Sequence, residues 1–288
     1  MGRSPQVDLL AGEEGLNQYS AFDGTARIYN KQGSLIERVG AAGLQEIAYD
    51  TFGRITGVTD VATGDVAQYF YDAQNKRVAR GRSVSGVVTW HQYHYDLGWR
   101  VMDERIVGSS VPAREYVDGS GIDEHLQMRA WTSSTVQDDF YYHCNSQGFV
   151  GAMTDANGSR VMEYEYSWLG EPRVTGSGVS GVPGQNPYQF QGRRVDPETE
   201  LQLFRNRYYD PAVGEFWSLD PSGLWQHEQG NGYSAFADSW NAGDPMGLRS
   251  GFADCINACG AVLAAQSAKC FTKPNPKERA ACAVIAAV

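Results

Sequence analysis

Two aspartate-proline pentapeptides near the end of the sequence combine the residue types best suited to chemistry. They read DPSGL at 220–224 and DPMGL at 244–248, so that Asp220 and Asp244 lie 24 residues apart. Asp, Pro and Gly at the first, second and fourth positions are typical of a type I turn. Two tight turns without chemistry are one interpretation, and two turns that bring carboxylates together are the other. The motif positions around the aspartates are Pro221, Gly223, Leu224, Pro245 and Gly247.

A pair of carboxyl groups can hydrolyse an amide bond. One accepts a proton from water while the other, still protonated, donates to the carbonyl oxygen. Carboxyl groups about 3 Å apart cannot both ionise, so such a pair shares a proton and its apparent pKa values separate. Asp220 and Asp244 are the predicted pair, with Asp238 as the alternate for Asp220. Arg205 or Arg207 is the charged neighbour expected to lower the pKa of one carboxyl, although arginine more commonly forms a surface ion pair.

A repeat marked by tyrosine must position these aspartates. The segments AYDTFGRITGV at 48 and FYDAQNKRVARG at 70 share an aromatic or apolar residue, Tyr, Asp, a turn and an alternating run. A regular period of this kind predicts a repeat architecture, and period-two alternation on both sides of a turn predicts antiparallel hairpins. The marker tyrosines, 20 to 26 residues apart, are Tyr29, Tyr49, Tyr71, Tyr95, Tyr116, Tyr142, Tyr166, Tyr188 and Tyr209.

The predicted fold class is mainly β: a spiralling sheet of antiparallel β-hairpin repeats with a short α-helical C-terminal tail. The tyrosine ring is expected to cover the neighbouring strand, while its hydroxyl reaches solvent or a backbone group. The Asp or Asn that follows is expected to bond its own backbone two residues on and to set the turn. Because Asp220 and Asp244 are about one repeat apart, neighbouring turns of one sheet would bring their carboxylates face to face.

Two longer segments resemble the bacterial RHS (YD-repeat) proteins and their RHS-associated core. They are YYHCNSQGFVGAMTDANGSRVMEYEYSWLGEP and the more specific GRRVDPETELQLFRNRYYDPAVGEFWSLDPSGL. Repeats and core together cover residues 28–248. The resemblance implies hairpins that spiral into a hollow shell around a toxic carboxy-terminal segment. It also implies an intramolecular aspartic cut after the final Asp-Pro-x-Gly-Leu, here between Leu248 and Arg249.

The domain organisation follows from these segments. The nine units would form a smaller part of a shell wall than the shells of that family contain. This favours the interpretation that the chain is the carboxy-terminal portion of such a shell. The predicted parts are an N-terminal segment (1–27) that is a partial repeat, YD-repeat hairpins (28–175), a flexible loop (176–187), the RHS-associated core (188–248) and a variable helical tail (249–288).

The tail differs from the rest of the chain in composition. Residues 249–288 contain eleven alanines and four of the five cysteines, and their net charge is +3, against −13 for the residues before them. The alanines and the spacing of Cys255, Cys259 and Cys270 predict an apolar helical face, and Pro274 ends that helix. By resemblance this position holds toxin cargo, and a remnant without activity is the alternative.

Composition and missing motifs limit the partners. A net charge of −10 argues against binding to nucleic acid. No cofactor and no metal are predicted, since phosphate-loop, dinucleotide and zincin motifs are absent and His91 and His94 would point to opposite faces of a strand. The expected partners are the chain's own C-terminal tail as cargo, a cognate immunity protein and a secretion-system component. With no visible signal peptide, the prediction is a secreted or cell-associated bacterial protein exported by another route, or otherwise a cytoplasmic one.

Together these observations predict an RHS-type polymorphic toxin core that serves in bacterial competition. It would form part of a β-shell that encapsulates a C-terminal segment, and its only enzymatic activity would be single-turnover aspartic autoproteolysis after Leu248. The alternative is a non-cleaving structural or cell-surface β-repeat protein with a docked helical tail.

Overall fold

Antiparallel strands make up nearly all of the regular structure in the described residues. The computed structural model describes residues 7–9, 18–22, 25–40, 43–131, 133–175, 186–221, 231–235 and 243–248. Within them the strands form two sheets, one of sixteen strands and one of four.

The larger sheet, here called the wall, pairs each strand with the strands before and after it in sequence. Consecutive hairpins build a meander of this kind. The predicted hairpin-repeat fold is therefore confirmed. The wall strands are β1 (Val7–Leu9), β2 (Tyr19–Phe22), β3 (Thr25–Tyr29), β4 (Leu35–Gly40), β5 (Gly43–Tyr49), β6 (Ile55–Asp60), β7 (Val66–Tyr71), β8 (Arg77–Val84), β9 (Val87–Tyr95), β10 (Val101–Ile106), β11 (Arg114–Asp118), β12 (His125–Trp131), β13 (Gln137–Cys144), β14 (Val150–Asp155), β15 (Arg160–Tyr166) and β16 (Pro172–Val174).

The Asp of the repeat sets the turn between hairpin strands. In the turn after β5, Asp50 Oδ1 accepts hydrogen bonds from the backbone N–H groups of Phe52 at 2.9 Å and Arg54 at 3.0 Å. Gly53 has a φ of +76°, a conformation that glycine adopts without steric cost. The turns that begin at Asp72 and Asp96 repeat this pattern of acceptance. The prediction that this residue bonds its own backbone two residues on is confirmed here.

In several repeats the marker tyrosine ties one hairpin to the one before it. Tyr49 Oη donates to the carbonyl oxygen of Leu35 at 2.8 Å, and Tyr71 Oη donates to that of Ile55 at 2.9 Å. The acceptors are the first residues of β4 and β6, so each bond joins the end of one strand to the start of an earlier one. A buried hydroxyl satisfied in this way leaves its ring free to pack on the sheet. These tyrosines serve the fold.

The four-stranded sheet, here called the small sheet, follows the wall in sequence. It contains β17 (Arg194–Asp196), β18 (Leu201–Phe204), β19 (Arg207–Asp210) and β20 (Glu215–Phe216), paired antiparallel in that order. A single 3-10 turn at Phe190–Gly192 precedes it.

The small sheet packs on the buried face of the wall. Along β5, buried Gln45 and Ile47 alternate with exposed neighbours, as expected for a strand with one covered face. Ile47 and Tyr69 of the wall share one apolar cluster with Leu201 and Tyr208 of the small sheet. The core of this part of the molecule therefore lies between the two sheets.

Buried ion pairs fix how the small sheet sits on the wall. Arg77 of β8 donates to both carboxylate oxygens of Asp196 in β17, with an Nη2–Oδ1 distance of 2.9 Å. Glu104 of β10 accepts from Arg194 of β17 and, at 3.1 Å, from Arg114 of β11. Removal of one partner from such a buried pair leaves an uncompensated charge and is strongly destabilising. These contacts therefore disfavour other seatings of the small sheet.

Two sequence predictions fall mainly outside the described residues. These are the helical tail at 249–288 and the flexible loop at 176–187, of which only residues 186 and 187 are described. Asn186 is buried, and its Oδ1 accepts a hydrogen bond from Tyr142 Oη at 2.8 Å. Among the described residues, no helix has the length and apolar character needed to span a membrane.

Replacing Glu104 with Gln tests whether the buried ion pairs seat the small sheet. Burial raises the pKa of Glu104, but Arg194 and Arg114 outweigh it and hold that pKa well below its usual range. The folded state thus favours the carboxylate, whose contribution is complete above the ordinary glutamate pKa of about 4.3 and is lost as the pH falls. We expect Glu104→Gln to lower the free energy of unfolding at pH 7 by about 3 to 5 kcal/mol.

Urea denaturation at pH 7 and at acid pH measures this effect. Asp139→Asn is the matched control because Asp139 pairs with Arg129 on the exposed side of the wall, where we expect a loss below about 1 kcal/mol. The difference between Glu104→Gln and wild type should also shrink as the pH falls. Equal losses in the two variants, or a difference independent of pH, would contradict the assignment.

Candidate active site around two buried aspartates

The second pentapeptide forms a closed turn that ends at Leu248. The backbone N–H of Gly247 donates to the carbonyl oxygen of Asp244 at 3.2 Å, as in a β-turn. Leu248 then donates its backbone N–H to Asp244 Oδ1 at 2.9 Å. Gly247 has a φ of +64°, and a Cβ atom there would lie 2.3 Å from the carbonyl oxygen of Phe204. The turn is therefore pressed against the small sheet at a position that only glycine fits.

Three consecutive residues, here called the clamp, hold three consecutive carbonyl groups of this turn: two lie in the β18–β19 turn and the third is the first residue of β19. Because the β18–β19 connection is a tight turn, its side chains project together toward the pentapeptide. The carbonyl of Leu248 thus follows directly on three fixed carbonyl groups. The clamp bonds run from Arg205 Nη1 to Pro245 O, from Asn206 Nδ2 to Met246 O at 2.8 Å and from Arg207 Nε to Gly247 O.

Asp220 and Asp244 meet at the guanidinium of Arg207. Arg207 Nη2 lies 3.1 Å from Asp220 Oδ2 and 3.6 Å from Asp244 Oδ2. All three side chains are at most 1% exposed. The two carboxyl groups therefore approach the same nitrogen in a site closed to bulk water, where electrostatic interactions are strong.

Gly232 completes the support of Arg207 and Asp220. Its carbonyl oxygen accepts from Arg207 Nη1 at 2.9 Å and from the backbone N–H of Asp220 at 3.0 Å. Arg207 also stacks on the ring of Phe216, with 3.7 Å from its Cζ atom to the ring centroid. The guanidinium is thus fixed from several sides and sets the positions of both aspartates.

Asp244 has the properties of an acid. Burial raises its pKa, and the contributions of Arg207, the Leu248 N–H and Arg193, which lower it, do not cancel that effect. Asp220 acts in the same direction as burial. Asp244 Oδ2 has no hydrogen-bond partner within the described part of the chain. A carboxyl with a raised pKa and an oxygen that accepts no hydrogen bond from the described residues can donate a proton in a buried site.

The structure brings together the predicted pair, although by a different route from the one expected. The sequence predicts that neighbouring turns of one sheet place the two carboxylates face to face. Instead, both aspartates follow β20 and meet at Arg207 of β19, because a buried guanidinium requires compensating charge. The motif positions Pro221, Pro245 and Gly247 are described, whereas Asp238, the alternate, and Gly223, Leu224 and Arg249 lie outside the described residues.

Sequence reasoning missed Asn206 and Gly232, and it gave Arg207 only a pKa effect. The available signal was the RNR tripeptide at 205–207, which interrupts an alternating apolar run between LQLF and YY. Among the described residues, no group of three His, Cys, Asp or Glu side chains is arranged to hold a metal ion.

Comparisons with known proteins agree on the fold. Residues 17–233 match the sequence model of a family described as teneurin YD-shell. The tRNA nuclease WapA of Bacillus subtilis is 28% identical over 207 residues, which are 72% of this chain and 8% of WapA. Toxin protein Tse5 of Pseudomonas aeruginosa is 28% identical over 266 residues, covering 81% of this chain and 19% of Tse5. The chain thus spans less than a fifth of the length of these relatives.

A solved structure with the same fold is the crystal structure of TcdB2-TccC3. It superposes with a TM-score of 0.57 and 17% sequence identity, over 78% of this chain and 14% of the other. At this identity the likeness establishes a shared fold.

Gly247→Ala tests the fixed position of the turn. An added methyl group cannot fit beside the Phe204 carbonyl, and a positive φ strains any other residue, so we expect a loss of about 1 to 3 kcal/mol in unfolding free energy. Hydrogen exchange should show faster exchange of the Gly247 and Leu248 amides. Gly243→Ala is the control, because its Cβ would meet Gln191 Oε1 at an ordinary 3.7 Å. Wild-type stability and protection in Gly247→Ala would contradict this description of the turn.

Proposed function

This chain belongs to the YD-shell family, to which the RHS repeat proteins also belong, and on that premise we propose that it is the core of an RHS-type toxin that cuts its own backbone after Leu248. The observation that carries the proposal is the convergence of Asp220 and Asp244 on Arg207 beside a turn whose carbonyl groups are held in sequence.

The proposed reaction is hydrolysis of the Leu248–Arg249 peptide bond. Asp220 accepts a proton from a water molecule, and the water oxygen adds to the carbonyl carbon of Leu248. Asp244 donates its proton to the carbonyl oxygen, which then carries no charge in the tetrahedral intermediate. Collapse of the intermediate breaks the C–N bond. The amide nitrogen takes the proton that Asp220 removed from water, and Asp244 takes back a proton from a hydroxyl group of the intermediate. The products are a carboxyl group at Leu248, which ionises, and an amino terminus at Arg249.

Each carboxyl has a role that fits its surroundings. Asp244 is assigned as the acid because burial raises its pKa, so that it stays protonated at a higher pH than an ordinary aspartate. Asp220 is assigned as the base, with its Oδ2 held by Arg207. Arg207 supplies a fixed positive charge that keeps two carboxyl groups close and balances the carboxylate charge as it passes from Asp220 to Asp244. Because catalyst and substrate are one chain, the reaction benefits from a high effective concentration and ends after one turnover.

The wall is proposed to enclose the segment that the cut releases. A cavity of about 1260 Å³ opens between the wall and the small sheet, and its lining includes Arg38, Arg80 and Trp131. This volume exceeds the roughly 300 to 1,000 Å³ of ordinary small-molecule pockets but holds only a short stretch of peptide, so this part of the wall would enclose a forty-residue segment only together with further wall. In this proposal residues 28–175 are shell, 188–248 are the cleaving core and 249–288 are cargo.

The names of the relatives support a toxin role. WapA is described as a tRNA nuclease and Tse5 as a toxin protein. We extend to this chain only the general role of a shell that carries a toxic C-terminal segment. We further propose that the protein is delivered out of the producing cell and that a cognate immunity protein is its partner.

Intact-mass measurement tests self-cleavage. The wild-type chain is expected to give two polypeptides, residues 1–248 and 249–288, after denaturation. Asp220→Asn and Asp244→Asn each remove one proton-transfer group. We therefore expect each variant to cleave at a rate at least about 100-fold lower than wild type, as judged from the fraction cut after a fixed time. Asp138→Asn, an exposed aspartate of β13, is the control and should cleave as wild type does. A single intact mass for the native wild-type chain, unchanged by Asp244→Asn, would refute the proposal.

The pH dependence of cleavage tests the assignment of Asp244 as the acid. The protonated form is the active one, and its pKa is raised, so the rate should fall as the pH rises through that raised pKa. The chain is prepared unfolded in urea and diluted into buffers between about pH 4 and pH 8, and uncut chain is quantified by mass spectrometry over time. A rate that climbs steadily across this range would exclude Asp244 as the acid while leaving the cut itself in place.

A further inference from the structure

Two of the three clamp residues are themselves held by turns of the wall. Asp123, in the connection between β11 and β12, pairs with Arg205. Asn75, in the turn between β7 and β8, donates from Nδ2 to Asn206 Oδ1 at 2.6 Å. The backbone of the Asp244–Leu248 turn is therefore connected to two separate hairpins of the wall through one residue each.

The Asp123–Arg205 contact is a two-point ion pair. Arg205 Nη2 donates to Asp123 Oδ1 at 2.8 Å, and Arg205 Nη1 donates to Asp123 Oδ2 at 3.2 Å. The same Nη1 donates to the carbonyl oxygen of Pro245. A planar guanidinium held at two points by a carboxylate has a fixed orientation. Asp123 thus aims Arg205 at Pro245.

Asp123 has a second arginine partner, in the segment directly before the small sheet. Arg193 Nη2 donates to Asp123 Oδ2 at 2.6 Å. Burial raises the pKa of Asp123, but Arg193 and Arg205 outweigh it, and the pKa is lowered. Behind it, His125 bonds Asp118 at 2.6 Å and the carbonyl oxygen of Gly192 at 3.0 Å, which anchors the β11–β12 connection to the residue before Arg193.

The backbone at these contacts is held in a conformation that most residues avoid. Asn75, Asp123 and Arg205 have φ values of +67°, +56° and +48°. Asn and Asp tolerate the left-handed region better than most residues, but Arg has no such preference. Strain of this kind persists only when the surrounding contacts determine the conformation, and it concentrates at functional sites.

Asn75 forms the second connection. Its amide also accepts from Arg54 Nη1 at 3.4 Å, so that it lies between two wall hairpins and the small sheet. Asn206 links Asn75 to the turn, because its Nδ2 donates to Met246 O at 2.8 Å and its backbone N–H donates to the same oxygen at 3.3 Å. The carbonyl group next to that of Pro245 is thus also held through the wall.

We propose that Asp123 and Asn75 are positioning residues for self-cleavage, and that they make the cut conditional on the β7–β8 and β11–β12 hairpins being seated on the small sheet. The inference rests on the proposed function. Neither residue touches Asp220 or Asp244 in the contacts described, and each acts through a clamp residue. A chain whose wall has not folded lacks both connections, so its pentapeptide is not held for attack.

The test measures cleavage after dilution of the unfolded chain from urea. Asp123→Asn keeps a residue that tolerates positive φ and removes the charge, and Asn75→Gly keeps the backbone conformation and removes the amide. We expect each to slow cleavage about 10- to 100-fold, because a displacement of about 1 Å costs that much in a positioned reaction. The controls are Asp138→Asn, an exposed wall carboxylate, and Asn157→Gly in the exposed β14–β15 turn.

A double-mutant cycle tests whether Asp123 acts through Arg205. If Asp123 acts through Arg205, then Asp123→Asn should slow cleavage much less in an Arg205→Gln background than in the wild-type background. An effect of Asp123 that does not pass through Arg205 would give the same factor in both backgrounds. Rates equal to wild type in Asp123→Asn and Asn75→Gly, or independent effects in the cycle, would overturn the inference.

A second measurement keeps the inference separate from the proposed function. In the Asp220→Asn background, hydrogen exchange at the Gly247 and Leu248 amides reports the order of the turn without cleavage. Asp123→Asn should speed exchange there by about tenfold or more, and Asp138→Asn should not. If the wild-type chain does not cleave, the proposed function fails, but this comparison still decides whether Asp123 holds the turn. Unchanged exchange in Asp123→Asn would refute that role.

Discussion

Arginine stays charged inside a protein, so a guanidinium buried between two sheets must have carboxylates or carbonyl oxygens within reach. Arg77, Arg194 and Arg207 each meet this requirement in the small sheet or against it. For Arg77 and Arg194 the ion pair crosses between wall and small sheet, and the sheets are thereby fixed together. For Arg207 the partners are the two aspartates and backbone carbonyls. The same requirement that seats the small sheet therefore assembles the candidate site.

The parts of this architecture that depend on neighbours in sequence are readable from sequence. An Asp that bonds the backbone N–H groups two and four residues on defines its turn within five residues, as Asp50 and Asp72 do. The tyrosine hydroxyl bonds return 14 to 18 residues along the chain, a distance fixed by the hairpin itself. Tyrosine spacing therefore predicts the hairpins and the backbone bonds of these three marker residues.

The site was only half predictable for the opposite reason. The Asp-Pro-x-Gly-Leu motif identifies Asp220 and Asp244, because each aspartate starts a turn that is defined by its neighbours in sequence. Their meeting point is not, because Arg207 precedes Asp244 by 37 residues and belongs to a strand whose pattern reads as core. Contacts such as Asp123 with Arg205 span 82 residues, and Asn75 with Asn206 spans 131. No periodic pattern records a pairing of that kind; it exists only once two sheets have packed.

Under the proposed function, packing also explains how the chain would survive synthesis uncut. The local interactions of the Asp244–Leu248 turn are one backbone bond and one side-chain bond, which are too few to hold a scissile carbonyl in a water-filled unfolded chain. The raised pKa of Asp244 is likewise a product of burial and disappears when the small sheet is not in place. Positioning and acidity therefore arise together, from the same seating of one sheet on another. The proposed cut would therefore follow folding as a consequence of the fold, without a separate switch.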